Sequence, residues 1–295
     1  MILAIVGPTG VGKTRLSIEL AKIYNGEIIN ADSMQIYKGL DIGTAKATKE
    51  EMAHIPHHLL SIKEATENYT VFDYQHDARE CIEKIKNKKK IPIFVGGTGY
   101  YLKSVFYDYK FESEKETDTE KYKEVTNEEL REKIDSFECG ITYDNKNRNR
   151  MMRLLTKLES GWTPTDEEFK LVYEDVYFIG LTTDREILYE KINDRFDKML
   201  VPLIDEVKPF YLQNIKTKPL MTGIGYKELY SFFENKKTLV NVVEECKKNS
   251  RNYAKRQYTW FENQMNIEWF HVDYDNFSNT IKEVVKYIEN NPKEK

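Results

Sequence analysis

The stretch Gly7-Pro8-Thr9-Gly10-Val11-Gly12-Lys13-Thr14 matches G-x-x-x-x-G-K-[ST], a spacing that cradles phosphate. Gly7, Gly10 and Gly12 free the backbone so that N–H groups along the loop, those of Thr9 and Val11 included, turn toward an anion. A helix starting behind the loop adds the positive end of its dipole. Lys13 supplies a point charge, and the Thr14 hydroxyl can hold a divalent cation such as magnesium. A surface turn that fits the pattern by accident is disfavoured by its flanks. The apolar run Ile2-Leu3-Ala4-Ile5-Val6 precedes it, and Leu16 to Ile23 follow with helical spacing. The chain is therefore expected to bind a phosphorylated ligand.

Asp32 is the second residue of chemical interest. It follows the expected strand Glu27-Ile28-Ile29-Asn30-Ala31, and the carboxyl ends of strands in an open α/β sheet face the ligand crevice. Three roles stand open: positioning a cation through water, taking a proton from a nucleophile, or capping the next segment. The strand Ile91-Pro92-Ile93-Phe94-Val95 ends in Gly96-Gly97-Thr98-Gly99 without an acid, which leaves Asp32 as the carboxylate of the site. Thr98 occupies the parallel position. Its hydroxyl and nearby amides can bond a phosphate or leaving oxygen, glycines on both sides permitting close backbone approach; the plainer reading is a structural Thr in a tight turn.

His54, His57 and His58 invite a metal reading, but Pro56 interrupts the trio and no acidic or Cys ligand adjoins it, so a structured loop with hydrogen-bonded imidazoles is expected. Two basic clusters complete the inventory: Lys146, Arg148, Arg150, Arg153 and Lys157, and Lys247, Lys248, Arg251, Lys255 and Arg256 interleaved with Tyr253, Tyr258 and Trp260. Solvated helix faces and contacts to a nucleic-acid backbone with stacking aromatics account for them equally well.

The elements that must position these residues read as alternating buried strands and helices, hence an α/β fold with a parallel sheet covered on both faces. Val71 to Lys86 has the spacing of an amphipathic helix, and Tyr100 to Tyr107 a shorter one. Residues 112–174 read as a mostly helical insertion, charged from Glu112 to Glu138, with a basic helix from Arg148 to Leu158 and a turn at 161–165. The sheet domain then spans 1–111 and 175–295. Its second part carries a strand at Val176 to Leu181, a helix at Ile187 to Met199 continuing toward Leu212, a glycine turn at Gly223-Ile224-Gly225-Tyr226, a long helix at Val240 to Gln264, a strand at Ile267 to Val272 and a helix at Ile281 to Ile288.

At 295 residues and 40% hydrophobic, the chain can bury a large core. Mean hydropathy is -0.65, and no apolar run approaches the roughly 20 residues that span a bilayer. A first strand read from residue 2 leads to the expectation of no signal peptide. Three dispersed cysteines, Cys81, Cys139 and Cys246, suit a reducing cytoplasm. A net charge of -4 means that any nucleic-acid role must rest on local clusters.

Taken together, these segments resemble the tRNA dimethylallyltransferases, or tRNA isopentenyl transferases, in their bacterial form. The resemblance is carried by the phosphate loop and by Asn30-Ala31-Asp32-Ser33-Met34-Gln35-Ile36-Tyr37-Lys38-Gly39-Leu40-Asp41-Ile42-Gly43-Thr44-Ala45-Lys46. Also matching are Ile55-Pro56-His57-His58, Val95-Gly96-Gly97-Thr98-Gly99-Tyr100-Tyr101, Gly223-Ile224-Gly225-Tyr226-Lys227-Glu228 and Tyr253-Ala254-Lys255-Arg256-Gln257-Tyr258-Thr259-Trp260-Phe261. It implies a P-loop NTPase-like sheet and transfer of a dimethylallyl group from its diphosphate to N6 of the adenosine 3′ to the anticodon. By the same resemblance Asp32 is the general base, Thr98 assists at the diphosphate, Ser33 and Gln35 help recognise the adenine, and Met34 counts with them among the tRNA-binding residues. Asn149, Arg150, Met151, Met152 and Arg153, with Arg251, Lys255 and Arg256, would contact the anticodon stem-loop of tRNA. Two departures stand out: Thr222 occupies a position often held by Arg or Gln, and Lys123 or Lys121 stands in for an Arg early in the insertion. The implied protein is a cytoplasmic monomer that uses magnesium and no membrane. Two rival readings are a small-molecule kinase with an Arg-rich lid and a non-enzymatic RNA-binding NTPase switch.

Overall fold

The computed structural model describes residues 1–109, 119–163 and 169–293. Its elements are, in chain order, β1 (Ile2–Val6), α1 (Lys13–Ile23), β2 (Gly26–Asn30), β3 (His57–His58), α2 (Val71–Asn87), β4 (Ile91–Val95), α3 (Gly99–Phe106), α4 (Asn127–Asp135), α5 (Arg148–Glu159), β5 (Val176–Thr182), α6 (Arg185–Leu212), α7 (Lys218–Thr222), α8 (Tyr226–Phe233), α9 (Leu239–Gln264), β6 (Glu268–His271) and α10 (Phe277–Asn290). The chain divides into two compact units, Met1–Asp108 with Leu171–Lys295, and Tyr109–Lys170. The division falls a few residues before the insertion edges read from composition, because Leu171 still pairs with Tyr107 across an isolated bridge.

In the larger unit the described strands form a single parallel sheet in the order β3-β2-β4-β1-β5-β6. β1 registers Leu3 with Ile93 of β4 and with Tyr177 of β5. Alternation along each strand sends successive side chains to opposite faces. Ile2, Ala4, Val6, Ile29, Ala31 and Phe94 join one core with α2, α3 and parts of α6, α8 and α9. Leu3, Ile5, Ile28, Ile93 and Ile179 join a second core with α1 and α10. Both faces are thus dry, which is why the strands read as unbroken apolar runs. α2 is fixed at its start by a reciprocal capping box between Thr70 and Asp73.

Two features differ from the sequence expectations. The His57-His58 pair is a short edge strand registered on Ile28 and Ile29, with His57 Nδ1 bonded to the Ile55 carbonyl and His58 Nε2 to Glu27. The imidazoles are hydrogen-bonded as expected, and no cluster of three or more His, Cys, Asp or Glu able to hold a metal occurs among the described residues. The glycine turn at 223–226 leads into α8, whose Glu228 reaches back to the Gly225 N–H at 2.8 Å. α6 runs 28 residues and continues to Leu212 as expected, although Pro202 and Pro209 lie inside it.

The smaller unit is helical where it is described. α4 and α5 pack through Leu130, Ile134, Met151, Met152, Leu155 and Leu158 around Tyr122. Residues 112–118 of the charged stretch, and Pro164 and Thr165 of the expected turn, lie outside the described residues. No helix among the described residues is long and apolar enough to cross a membrane.

Candidate active site

β1 delivers the chain to the phosphate loop at the carboxyl edge of the sheet. Gly7, Gly10 and Gly12 have φ values of 133°, 85° and 103°, in the region that side chains resist. Gly7 is further constrained, since a Cβ there would lie 2.5 Å from the Leu181 carbonyl oxygen. Val11 is buried beneath the loop, so only its backbone amide is available to a ligand. α1 begins at Lys13, with Thr14 in its first turn. The Lys13 ammonium donates to the Pro8 carbonyl at 2.8 Å, and burial pushes its pKa down to about 8 against the opposing pull of Asp32.

Asp32 follows β2 in a turn built by its neighbours. Asn30 accepts from the Asp32 N–H at 3.0 Å and donates to the Asp32 and Leu59 carbonyls, while Tyr74 donates to the Asn30 carbonyl. Asp32 Oδ1 accepts from the Met34 N–H at 2.9 Å. Capping is therefore one function of this carboxylate, and its position on the cavity wall leaves a second one available. Burial raises its pKa above the ordinary carboxylate value, opposed by the Met34 and Gln35 amides and by the charges of Lys13 and Arg195.

Thr98 lies across from this turn. Its hydroxyl oxygen accepts from the Ser33 N–H at 3.0 Å and its hydroxyl donates to Ser33 Oγ at 3.3 Å, while the Thr98 N–H bonds to the Ala31 carbonyl. The glycines around Thr98 serve packing. A Cβ at Gly96 would lie 2.2 Å from the Ala31 backbone, one at Gly97 1.9 Å from the Gln257 amide, and one at Gly99 2.0 Å from the Trp260 ring. At Gly97 and Gly99 the close approach is made by α9, and at Gly96 by the Ala31 backbone.

Two cavities meet at these residues. One, of about 600 Å3, is lined by Thr9, Gly12, Lys13, Thr14, Asp32, Gln35 and Arg195 among others. The second, of about 300 Å3, is walled by Met34, Ile192, Phe196, Met199 and Ile224 and includes Ser33, Thr222, Tyr253 and Arg256. Thr9, Asp32, Thr44 and Arg195 line both. Arg195 donates to the Thr9 hydroxyl at 2.9 Å, its Nε is buried without a protein partner, and burial lowers its pKa against the attraction of Asp32. A half-buried cation with a buried, unused donor beside a phosphate loop is suited to an anion. Gln257 accepts from the Thr9 N–H at 2.9 Å and donates to the Gly97 carbonyl at 3.1 Å, so the Thr9 amide, expected to turn toward an anion, instead ties the loop to α9 and the turn after β4.

Arg195 is a site residue that sequence reasoning misses. Its signal is a charged residue on the apolar stripe Ile192, Phe196 and Met199 of a helix, where only a partnered or ligand-binding cation is tolerated. Thr222 lines the second cavity with its hydroxyl turned onto the Lys218 carbonyl.

The residues expected to meet tRNA separate by role. Lys255 and Arg256 are exposed on α9, with Arg256 over the Tyr253 ring. Arg251 donates to Asn193 at 2.7 Å, and Lys247 pairs with Asp197 at 2.7 Å. In the smaller unit Asn149 and Arg153 are exposed, Arg150 pairs with Asp144 at 3.0 Å, and Lys123 pairs with Glu120. Arg148 is a bolt, donating to Asn127 and to the Tyr122 and Lys123 carbonyls. Met151 and Met152 correct the sequence expectation. Both are buried in the core of this unit, so their side chains pack α5 and offer no surface to a nucleic acid.

A family model described as IPP transferase matches residues 35–264. The chain is 45% identical to the tRNA dimethylallyltransferase of Anoxybacillus flavithermus, over 98% of this chain and 96% of that protein. It is 44% identical to the tRNA dimethylallyltransferase of Streptococcus agalactiae, over 96% of each. Among solved structures, the tRNA isopentenylpyrophosphate transferase of Bacillus halodurans superposes with a TM-score of 0.74 at 37% identity, covering 98% of this chain and 95% of that one. A eukaryotic dimethylallyltransferase acting on tRNA gives 0.83 at 28% identity, covering 100% and 81%. These relatives favour a prenyltransferase over the kinase alternative. The phosphate loop, the Asp32 turn and the glycine turn at Thr98 therefore sit in a chain that belongs to the tRNA dimethylallyltransferase family.

Proposed function

We propose that this protein transfers a dimethylallyl group from dimethylallyl diphosphate to N6 of the adenosine on the 3′ side of the anticodon in tRNA. The observation that carries the reading is the position of Asp32, a half-buried carboxylate where the cavity lined by the phosphate loop meets an apolar-walled one. Lys13, Arg195 and the loop amides suit a diphosphate, and Met34, Ile192, Phe196 and Met199 offer a five-carbon chain an apolar wall. The exocyclic amine of adenine is a weak nucleophile because its lone pair is delocalised. Asp32 takes its proton as the new carbon–nitrogen bond forms and the carbon–oxygen bond to diphosphate breaks. The leaving diphosphate keeps that electron pair, and the cations already around it offset the growing charge. The adenosine must leave its stack to reach Asp32. Ser33 and Gln35 beside it are the proposed contacts to the base, and Thr98 the contact to the leaving group.

Magnesium fits this donor set. Thr14 and Asp32 share one cavity wall, which suits a hard cation that takes its other oxygens from diphosphate and water. When bound at Thr14, the ion would supply charge neutralisation to the leaving group. Exposed Lys255, Arg256, Asn149 and Arg153 are proposed to contact the anticodon stem-loop, with Lys123, Arg150 and Arg251 joining by exchanging their present partners. Free Cys81, Cys139 and Cys246 suit a cytoplasmic setting, and a monomer is the proposed state.

The test is incubation with dimethylallyl diphosphate, magnesium and unmodified tRNA carrying adenosine beside the anticodon, followed by digestion and mass spectrometry of the nucleosides. Prenylated adenosine is the expected product. Its absence, with phosphorylation of a small acceptor from ATP instead, would restore the kinase reading.

A further inference from the structure

The segment 41–46 carries no group used in the mechanism, yet the protein clamps it from both ends. Three consecutive backbone donors converge on one side chain of α6. The Asp41 and Ile42 N–H groups donate to Glu206 Oε2 at 2.8 and 2.7 Å, and the Gly43 N–H to Glu206 Oε1 at 3.1 Å. The Tyr226 hydroxyl donates to the same Oε1 at 2.5 Å. Tyr226 also presses its ring on Gly43, where a Cβ would lie 2.5 Å from it, so glycine is required at that position. Burial and the Glu206 carboxylate raise the Tyr226 pKa, which keeps this phenol a donor.

The other end is held by Lys46. Its ammonium donates to the Tyr37 carbonyl at 2.7 Å, the Ser61 hydroxyl at 2.8 Å and Asp41 at 2.5 Å, and its side chain is 5% exposed. Between the clamps lies Thr44, whose hydroxyl donates to the Leu40 carbonyl and whose own carbonyl accepts from Gln35 Nε2 at 3.0 Å. Thr44 lines both cavities and Gln35 the larger one.

We infer that Glu206, braced by Tyr226, is a positioning residue that acts on the adenine through Thr44 and Gln35. A single carboxylate receiving three adjacent amides fixes the path of residues 41–43. That path sets the Thr44 carbonyl, and the Thr44 carbonyl fixes one N–H of the Gln35 carboxamide. With one N–H fixed, the carboxamide of this cavity-lining residue is held in a set orientation, and its remaining oxygen and N–H are the donor–acceptor pair that would read an adenine edge. Orientation of this kind governs productive attack, and small misplacements of a substrate cost large factors in rate. This inference rests on the proposed reaction.

A double-mutant cycle tests it. Glu206→Gln, which keeps the shape and halves the acceptors, and Gln35→Ala are made singly and together and assayed for tRNA prenylation. Each single change is expected to lower kcat/KM for tRNA about tenfold or more while leaving the KM for dimethylallyl diphosphate within about twofold. The double variant is expected to be no worse than Gln35→Ala, because the clamp acts through that side chain. Tyr226→Phe, which removes one hydroxyl and keeps the ring on Gly43, should show a smaller loss that also vanishes without Gln35. Additive losses, or a rise in the diphosphate KM matching the loss on tRNA, would overturn the positioning role. If Glu206→Gln does not fold, the Tyr226→Phe cycle decides between the same two outcomes. A wild-type protein that prenylates no tRNA would instead overturn the proposed function itself.

Discussion

Asp32 is held by opposed forces. Burial disfavours its charge, while the Met34 amide, Lys13 and Arg195 favour it, and burial prevails so that its pKa lies above the ordinary value. A carboxyl whose folded-state pKa is raised costs stability once the pH exceeds its unfolded value. Asp32→Asn is therefore expected to raise the midpoint of thermal unfolding at neutral pH and to lower turnover by roughly 10²–10⁴-fold, with tRNA affinity near normal. Loss of turnover together with loss of stability would point to the cap at Met34 as the main role of Asp32. Lys13 gives the complementary pH test. With its pKa near 8 in the free protein, against an ordinary 10.5, it is largely neutral at pH 9. A bound diphosphate favours its charged form, so binding at pH 9 should draw in a proton. Calorimetry in two buffers of different ionisation heat should register an uptake that Lys13→Met lacks; equal uptake by the two proteins would remove Lys13 from the diphosphate site.

Elements differ in how much of them the sequence discloses. β1, β2, β4 and β5 are buried on both faces, and that environment writes itself as continuous apolar runs. The phosphate loop is legible because its glycines answer to backbone geometry. β3 is not, since its two histidines are a strand only through the edge of β2 and the Glu27 carboxylate beneath them. α8 hides behind Gly223 and Gly225, which read as a turn because their packing partners, Met34 and Leu203, are distant in sequence. The glycines at 96–99 are legible as a site but not in their purpose, since Gln257 and Trp260 reach them from about 160 residues away. That packing gives a prediction at this scale. Gly96→Ala forces a methyl into the Ala31 backbone and should cost about 3 kcal/mol of stability by overpacking, read by urea unfolding. A cost below about 0.5 kcal/mol would mean that β2 and the Asp32 turn can shift freely.

For the whole molecule, a net charge of -4 opposes a polyanion at long range, so tRNA affinity must come from local cations. Lys255 and Arg256 are exposed on α9, turned away from buried Ala254 and Phe261. Arg256→Ala should weaken tRNA binding and reduce the slope of log affinity against log salt by about one; an unchanged slope would remove it from the phosphate contacts. In the proposed reaction the phosphates stay in the loop while the carbon attached to them moves. The most direct measurement is the ratio of prenylated adenosine to diphosphate released when unmodified tRNA, dimethylallyl diphosphate and magnesium are mixed with the protein. One of each per turnover is expected, with neither formed by Asp32→Asn above about a hundredth of the wild-type rate. Diphosphate release without prenylated nucleoside, or no reaction unless ATP is supplied, would contradict it.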